Sequence, residues 1–117
     1  MTITEIGPTS DVKGFFNLVA SLLENGVKGS KYPWVMEKLY RGSLAYDELN
    51  KVESELDSIK KEFLSISPDN IEWSSFGVDK NNSRLNFEGE NMFSVFKRFF
   101  KAFDEAFQAL REVCRGL

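Results

Sequence analysis

The chain has no histidine and a single cysteine, Cys114, in 117 residues. Without histidine, Ser-His-Asp and Cys-His nucleophilic schemes are excluded. The imidazole ligands of most zinc sites go with them, and one thiol cannot replace them. One cysteine also forms no internal disulfide. No Gly-rich phosphate loop of either common type is present. No apolar run approaches the ~20 residues that span a bilayer. The N-terminus lacks the basic and apolar regions of a signal peptide, so the expected location is the cytoplasm. The net charge is −3, which argues against a nucleic-acid binder with its basic face. No cofactor, metal or membrane is expected. A carboxylate-only enzyme stays open on composition alone, but no acidic pair is marked for it.

What is abundant is phenylalanine. Six of the eleven fall in the last stretch, at Phe93, Phe96, Phe99, Phe100, Phe103 and Phe107. Phe93, Phe96, Phe100, Phe103, Phe107 and Leu110 recur every three or four residues, so they line one helix face. Each buried Phe contributes about 1.5–3 kcal/mol of transfer free energy. Met92 to Val113 is therefore expected to be the spine on which the chain packs, with Asn91 as its cap.

Upstream, Met1 to Ile6 reads as a short strand. Thr9 or Ser10 can cap a first helix, with Asp11 suited to its dipole. Val12, Phe15, Phe16, Val19, Leu22 and Leu23 form its apolar stripe, and Gly26 stops it. Ser30 is the expected cap of a second helix, with Pro33 in its first turn. That helix buries Tyr32, Val35, Met36, Leu39 and Tyr40 and ends at Gly42. A third helix opens at Ser43 and carries Tyr46, Leu49, Val52, Leu56, Ile59 and Phe63. Alternation then predicts a strand from Asn70 to Phe76 and another through Leu85 and Phe87. The expected fold is one domain, 1–117, of α+β class: about four helices with a small two- to three-stranded sheet.

Function is sought in surface chemistry. The third helix is acidic in its first half, at Asp47, Glu48, Glu53 and Asp57 among others. Such a face is either solvated or a docking surface for basic groups on a partner. Trp34 sits one position off its helix's apolar stripe, where it could anchor an interface. These five residues are the candidate partner-binding set.

The run Gly29-Ser30-Lys31-Tyr32-Pro33, then Val35-Met36, then Leu39-Tyr40-Arg41-Gly42, resembles the bacterial immunity protein 70 family of polymorphic-toxin and contact-dependent inhibition systems. The likeness continues from Glu48 to Phe63, through Ser67-Pro68-Asp69, to Ile71-Glu72-Trp73. Between Trp73 and the last helix the chain is shorter than the family pattern. The resemblance implies a non-catalytic protein that binds the C-terminal domain of a cognate toxin, often a nuclease, and blocks its active site or substrate path. A small acidic secretion chaperone or adaptor is the alternative. Monomer and homodimer both stay open.

Overall fold

A computed structural model describes residues 9–42 and 45–115. Among them the order is α1 (Thr9–Leu23), a π-helix (Trp34–Leu39), a 3-10 turn (Tyr46–Glu48), α2 (Leu49–Leu64), a second 3-10 turn (Trp73–Phe76), α3 (Met92–Val95) and α4 (Lys97–Arg115). The expected strand at Met1 to Ile6, and Ser43 as a helix start, lie outside the described residues.

The Phe stripe does form the core. Phe96, Phe99, Phe100, Phe103 and Phe107 are all buried. The rings gather around Phe15 of α1, whose centroid lies 4.6 Å from Phe99, 5.5 Å from Phe96 and 5.6 Å from Phe100. Edge-on and offset pairs of this kind add about 0.5–1.5 kcal/mol each beyond area burial. Val52, Leu56, Ile59 and Phe63 of α2 close the core from the other side. α2 packs against the π-helix, α1, α3 and α4, so it is the central contact element.

The spine is not one helix. Asn91 caps α3 as expected, its Oδ1 accepting the Ser94 N–H at 2.8 Å. The helix then breaks at Phe96 (φ −101, ψ 17) before α4 begins. The cause is a competing donor. An unbroken helix would direct the Val95 carbonyl to the Phe99 amide, but the loop amide of Asn86 takes it at 3.3 Å.

The α+β expectation is overturned. Among the described residues there is no strand and no sheet. Trp73 is buried as expected, but in a 3-10 turn. The amides of Ser75, Gly77 and Val78 bond locally, to Glu72, Ser74 and Trp73. Gly77, at φ 82, ends that turn in the left-handed region. Phe87 sits at the edge of Trp73, with centroids 5.0 Å apart, and anchors irregular chain rather than a ladder. The alternation is real, but only Trp73 is buried in the helical core, and Phe76 and Phe87 pack half-buried against it. Gly14 makes this possible for α1: a Cβ there would collide with the Val78 side chain.

A candidate partner-binding surface beside the π-helix

The surface begins at the end of α1. Asn25 (φ 52) and Gly26 (φ 82) turn the chain, and the Gly26 N–H returns to the Ala20 carbonyl at 2.8 Å. Glu24, directly after α1, is 3% exposed. Its carboxylate accepts three backbone N–H groups: Gly29 at 3.0 Å, Lys31 at 2.9 Å and Tyr32 at 2.9 Å. Gly29 adopts φ +83, a conformation that glycine reaches freely. Ser30 is not the cap; its hydroxyl donates to the Glu24 carbonyl at 3.4 Å. Capping falls to glutamates because buried amides at a helix start need acceptors, and ionised acceptors are the strong ones.

The next amides go to α2. Glu55 Oε1 accepts the Val35 N–H at 2.8 Å. Burial holds the Glu55 carboxyl above the ordinary glutamate range, against the opposing hydrogen bonds from Val35 and Trp34. The turn is widened: the Tyr40 N–H reaches back to the Val35 carbonyl, five residues away. Glu62 completes the set by accepting the Tyr32 hydroxyl and the Lys31 ammonium, the latter at 2.7 Å. Burial alone would raise the Glu62 carboxyl. The hydrogen bonds from Lys31 and Tyr32 outweigh it and hold the group below its ordinary value. The run Gly29 to Val35 is thus a segment whose amides and hydroxyl are read by three glutamates.

On this platform stand two of the expected residues, and a third adjoins them. Trp34 is half-buried, with the Lys51 ammonium 4.5 Å above its ring. Glu48 lies 3.8 Å from Lys38 of the π-helix, and its other oxygen accepts the Ala45 N–H at 2.9 Å. Asp47 is exposed next to Glu48. Tyr40, expected inside, is 46% exposed. It lies edge-on to Phe16 and under the Lys28 ammonium, 3.5 Å away. Glu53 and Asp57 go elsewhere. Glu53 pairs with Arg111 of α4, whose guanidinium also donates to Asn50 at 2.8 Å. Asp57 is exposed on the same flank, 3.8 Å from Lys60, which also reaches Asp104 of α4 at 3.2 Å. The acidic series is therefore split between the turn that precedes α2 and the α4 flank of α2, and its members are paired with lysines and an arginine.

The family model for immunity protein 70 matches residues 1–112. The chain belongs to that family. No curated protein and no solved structure matches it. An immunity protein works on a toxin partner, so its functional surface is one that another protein can reach. The resemblance marked Gly29 to Trp73, and within it Tyr32 and Val35 are buried while Trp34, Lys38, Tyr40 and Arg41 reach solvent. What residue types alone did not reveal is the glutamate support beneath. One signal was present. An acid at the C-terminal end of α1 opposes the helix dipole, so Glu24 needed another purpose. No helix among the described residues is long and apolar enough to cross a membrane.

Proposed function

We propose that this immunity protein binds the C-terminal domain of its cognate toxin, a nuclease, and blocks the active site or substrate path without chemistry of its own. The observation that supports this reading is that Trp34 under Lys51, Glu48 at 3.8 Å from Lys38 with exposed Asp47 next to it in sequence, and exposed Tyr40 all lie on or beside the π-helix. Trp, Tyr and Arg are the residue types that dominate interface energetics, and a π-helix is a frequent mark of a functional surface. An acidic chain suits a basic nuclease cleft, where its carboxylates replace phosphate charge. Glu53 and Asp57 form a second acidic contact on the α4 flank. The proposed compartment is the cytoplasm, where the toxin acts.

The test is binding to the toxin domain encoded directly upstream, measured by calorimetry. Trp34→Ala combined with Asp47→Lys is expected to weaken binding about a hundredfold or more. Glu53→Lys with Asp57→Lys is expected to cost about tenfold. If neither pair changes the affinity of a folded protein, the surface is wrong. If the wild-type chain does not bind that domain, the reading itself falls.

A further inference from the structure

A groove of about 270 Å³ that shares no residue with the glutamate platform is lined by α1, the loop at Arg84 and Leu85, Val95 of α3 and the first turns of α4. Its walls carry Asp11, Arg84, Arg98, Lys101 and Glu105. Asp11 is only 1% exposed. Its Oδ2 accepts the Arg84 N–H at 3.0 Å, while its Oδ1 has no hydrogen-bond partner among the described residues. An unsatisfied buried acceptor is rare and points to a missing donor. The three cations make no ion pair among the described residues, although the chain is acidic overall. With Arg84, Arg98 and Lys101 set against Asp11 and Glu105, the groove keeps a small positive excess in a negative protein, with an unfilled acceptor inside it.

These charges restrict the guest. A lysine or arginine would satisfy Asp11 but meet Arg84, Arg98 and Lys101, which outnumber the carboxylates of Asp11 and Glu105. A bare anion would satisfy the cations but offer Asp11 no donor. A peptide segment carrying a carboxylate supplies both, an N–H from its main chain and negative charge from its side chain. The volume suits a side chain with its adjoining backbone better than a drug-sized ligand. We propose that the groove receives an acidic segment of the toxin domain, with a main-chain N–H on Asp11 Oδ1 and its carboxylate among Arg84, Arg98 and Lys101. This rests on the toxin-binding reading and adds a second contact of opposite polarity, which would fix the orientation of the complex.

The experiment uses the full chain, labelled with nitrogen-15, and a blocked glutamate-rich peptide as probe. Its glutamine counterpart and inorganic phosphate serve as comparisons. The glutamate peptide is expected to move the amide signals of Asp11, Arg84, Leu85 and Arg98, and the glutamine peptide is not. Arg98→Glu with Lys101→Glu, both at exposed positions, should abolish the movement while leaving the rest of the spectrum intact. Asp11→Ala should weaken it, and Asp11→Asn should weaken it too, because with its one oxygen on the Arg84 N–H the amide turns an Nδ2 donor toward the guest N–H. The same charge-reversed pair should weaken toxin-domain binding about tenfold. No movement with the glutamate peptide overturns the proposal. So does equal movement with phosphate, which would mark a small-anion site, or peptide binding in a protein whose toxin affinity ignores the reversal. A wild-type chain that binds the peptide but not the toxin domain would instead overturn the toxin reading.

Discussion

The connection from α1 to the π-helix and the connection from α2 to α3 face the same demand with opposite chemistry. Both run outside α-helix, so their amides need partners from somewhere else. In the first, Glu24 just after α1 and Glu55 and Glu62 of α2 accept those amides, the first amides of the π-helix and the Tyr32 hydroxyl. In the second, Trp73 and Val78 sink into the core and half-buried Phe87 packs against it, while small polar side chains close local turns. Asp79 accepts the Asn81 N–H at 3.0 Å, and Ser83 accepts the Leu85 N–H at 3.1 Å. A carboxylate lock fixes backbone position closely because hydrogen-bond geometry is narrow. An aromatic anchor fixes mainly depth, since dispersion and burial are not directional. The Trp34 surface proposed to recognise a partner stands on the first kind of support, while the Arg84 wall of the groove belongs to the second.

The largest expected effect probes the aromatic side. Trp73→Ala removes a buried ring that packs on Phe87 and Phe96, and should cost about 3–5 kcal/mol, read as a lower urea midpoint. Because the site stands on the other support, the folded fraction should still bind partner with unchanged affinity. If toxin affinity falls as well, the two connections are coupled and the contrast is wrong. Next comes Glu24→Ala, expected to cost about 3 kcal/mol, since three donors lose a charged acceptor but the outer ones regain water. Glu24→Gln should recover little, because an amide nitrogen would face N–H donors. Here partner affinity should drop together with stability.

The sequence reading succeeded where spacing decides and failed where distant partners decide. Val52, Leu56, Ile59 and Phe63, and the Phe93 to Phe107 series, share faces because helical period puts them there, so α2 and the core were legible. Ile71, Trp73 and Ser75 alternate too, yet no neighbouring strand exists among the described residues, and the same alternation serves a turn that buries one aromatic. The π-helix was invisible for the same reason. Its form depends on Glu55, on another element, taking the Val35 amide. Asp11 read as a helix-dipole residue, and nothing local disclosed that Arg84 would close over it. At the candidate site, Asp47 and Trp34 were marked by type. Glu53 was marked by charge alone, and only the packing of α4 revealed that Arg111 takes it.

A smaller effect sharpens the lock itself. Tyr32→Phe keeps the buried ring and deletes only the hydroxyl given to Glu62, so the expected loss is about 1 kcal/mol by urea denaturation. Burial, then the Glu62 hydrogen bond and the charges of Glu62, Glu55 and Glu24, push the Tyr32 phenol well above the ordinary tyrosine range, so it remains a donor. A loss as large as that of Glu24→Ala would mean that the hydroxyl, rather than the amide cradle, holds the connector.

The finest test is one of sign. The Glu62 carboxyl is held low in the folded state, so folding stabilises its charged form. That contribution is present above the unfolded glutamate value of about 4.3 and is lost as pH falls through the lower folded value. Glu55 behaves oppositely. Burial raises it, so its contribution to folding is full below the unfolded value and is lost as pH rises through the higher folded one. In urea midpoints measured across the acid range, the deficit of Glu62→Gln should therefore shrink on acidification. The difference between wild type and Glu55→Gln should shift the other way, in favour of the wild type as pH falls. Parallel pH dependences for the two variants would show that the glutamates act as one titrating unit, and the division of the lock into a paired outer group and a buried inner one would not hold.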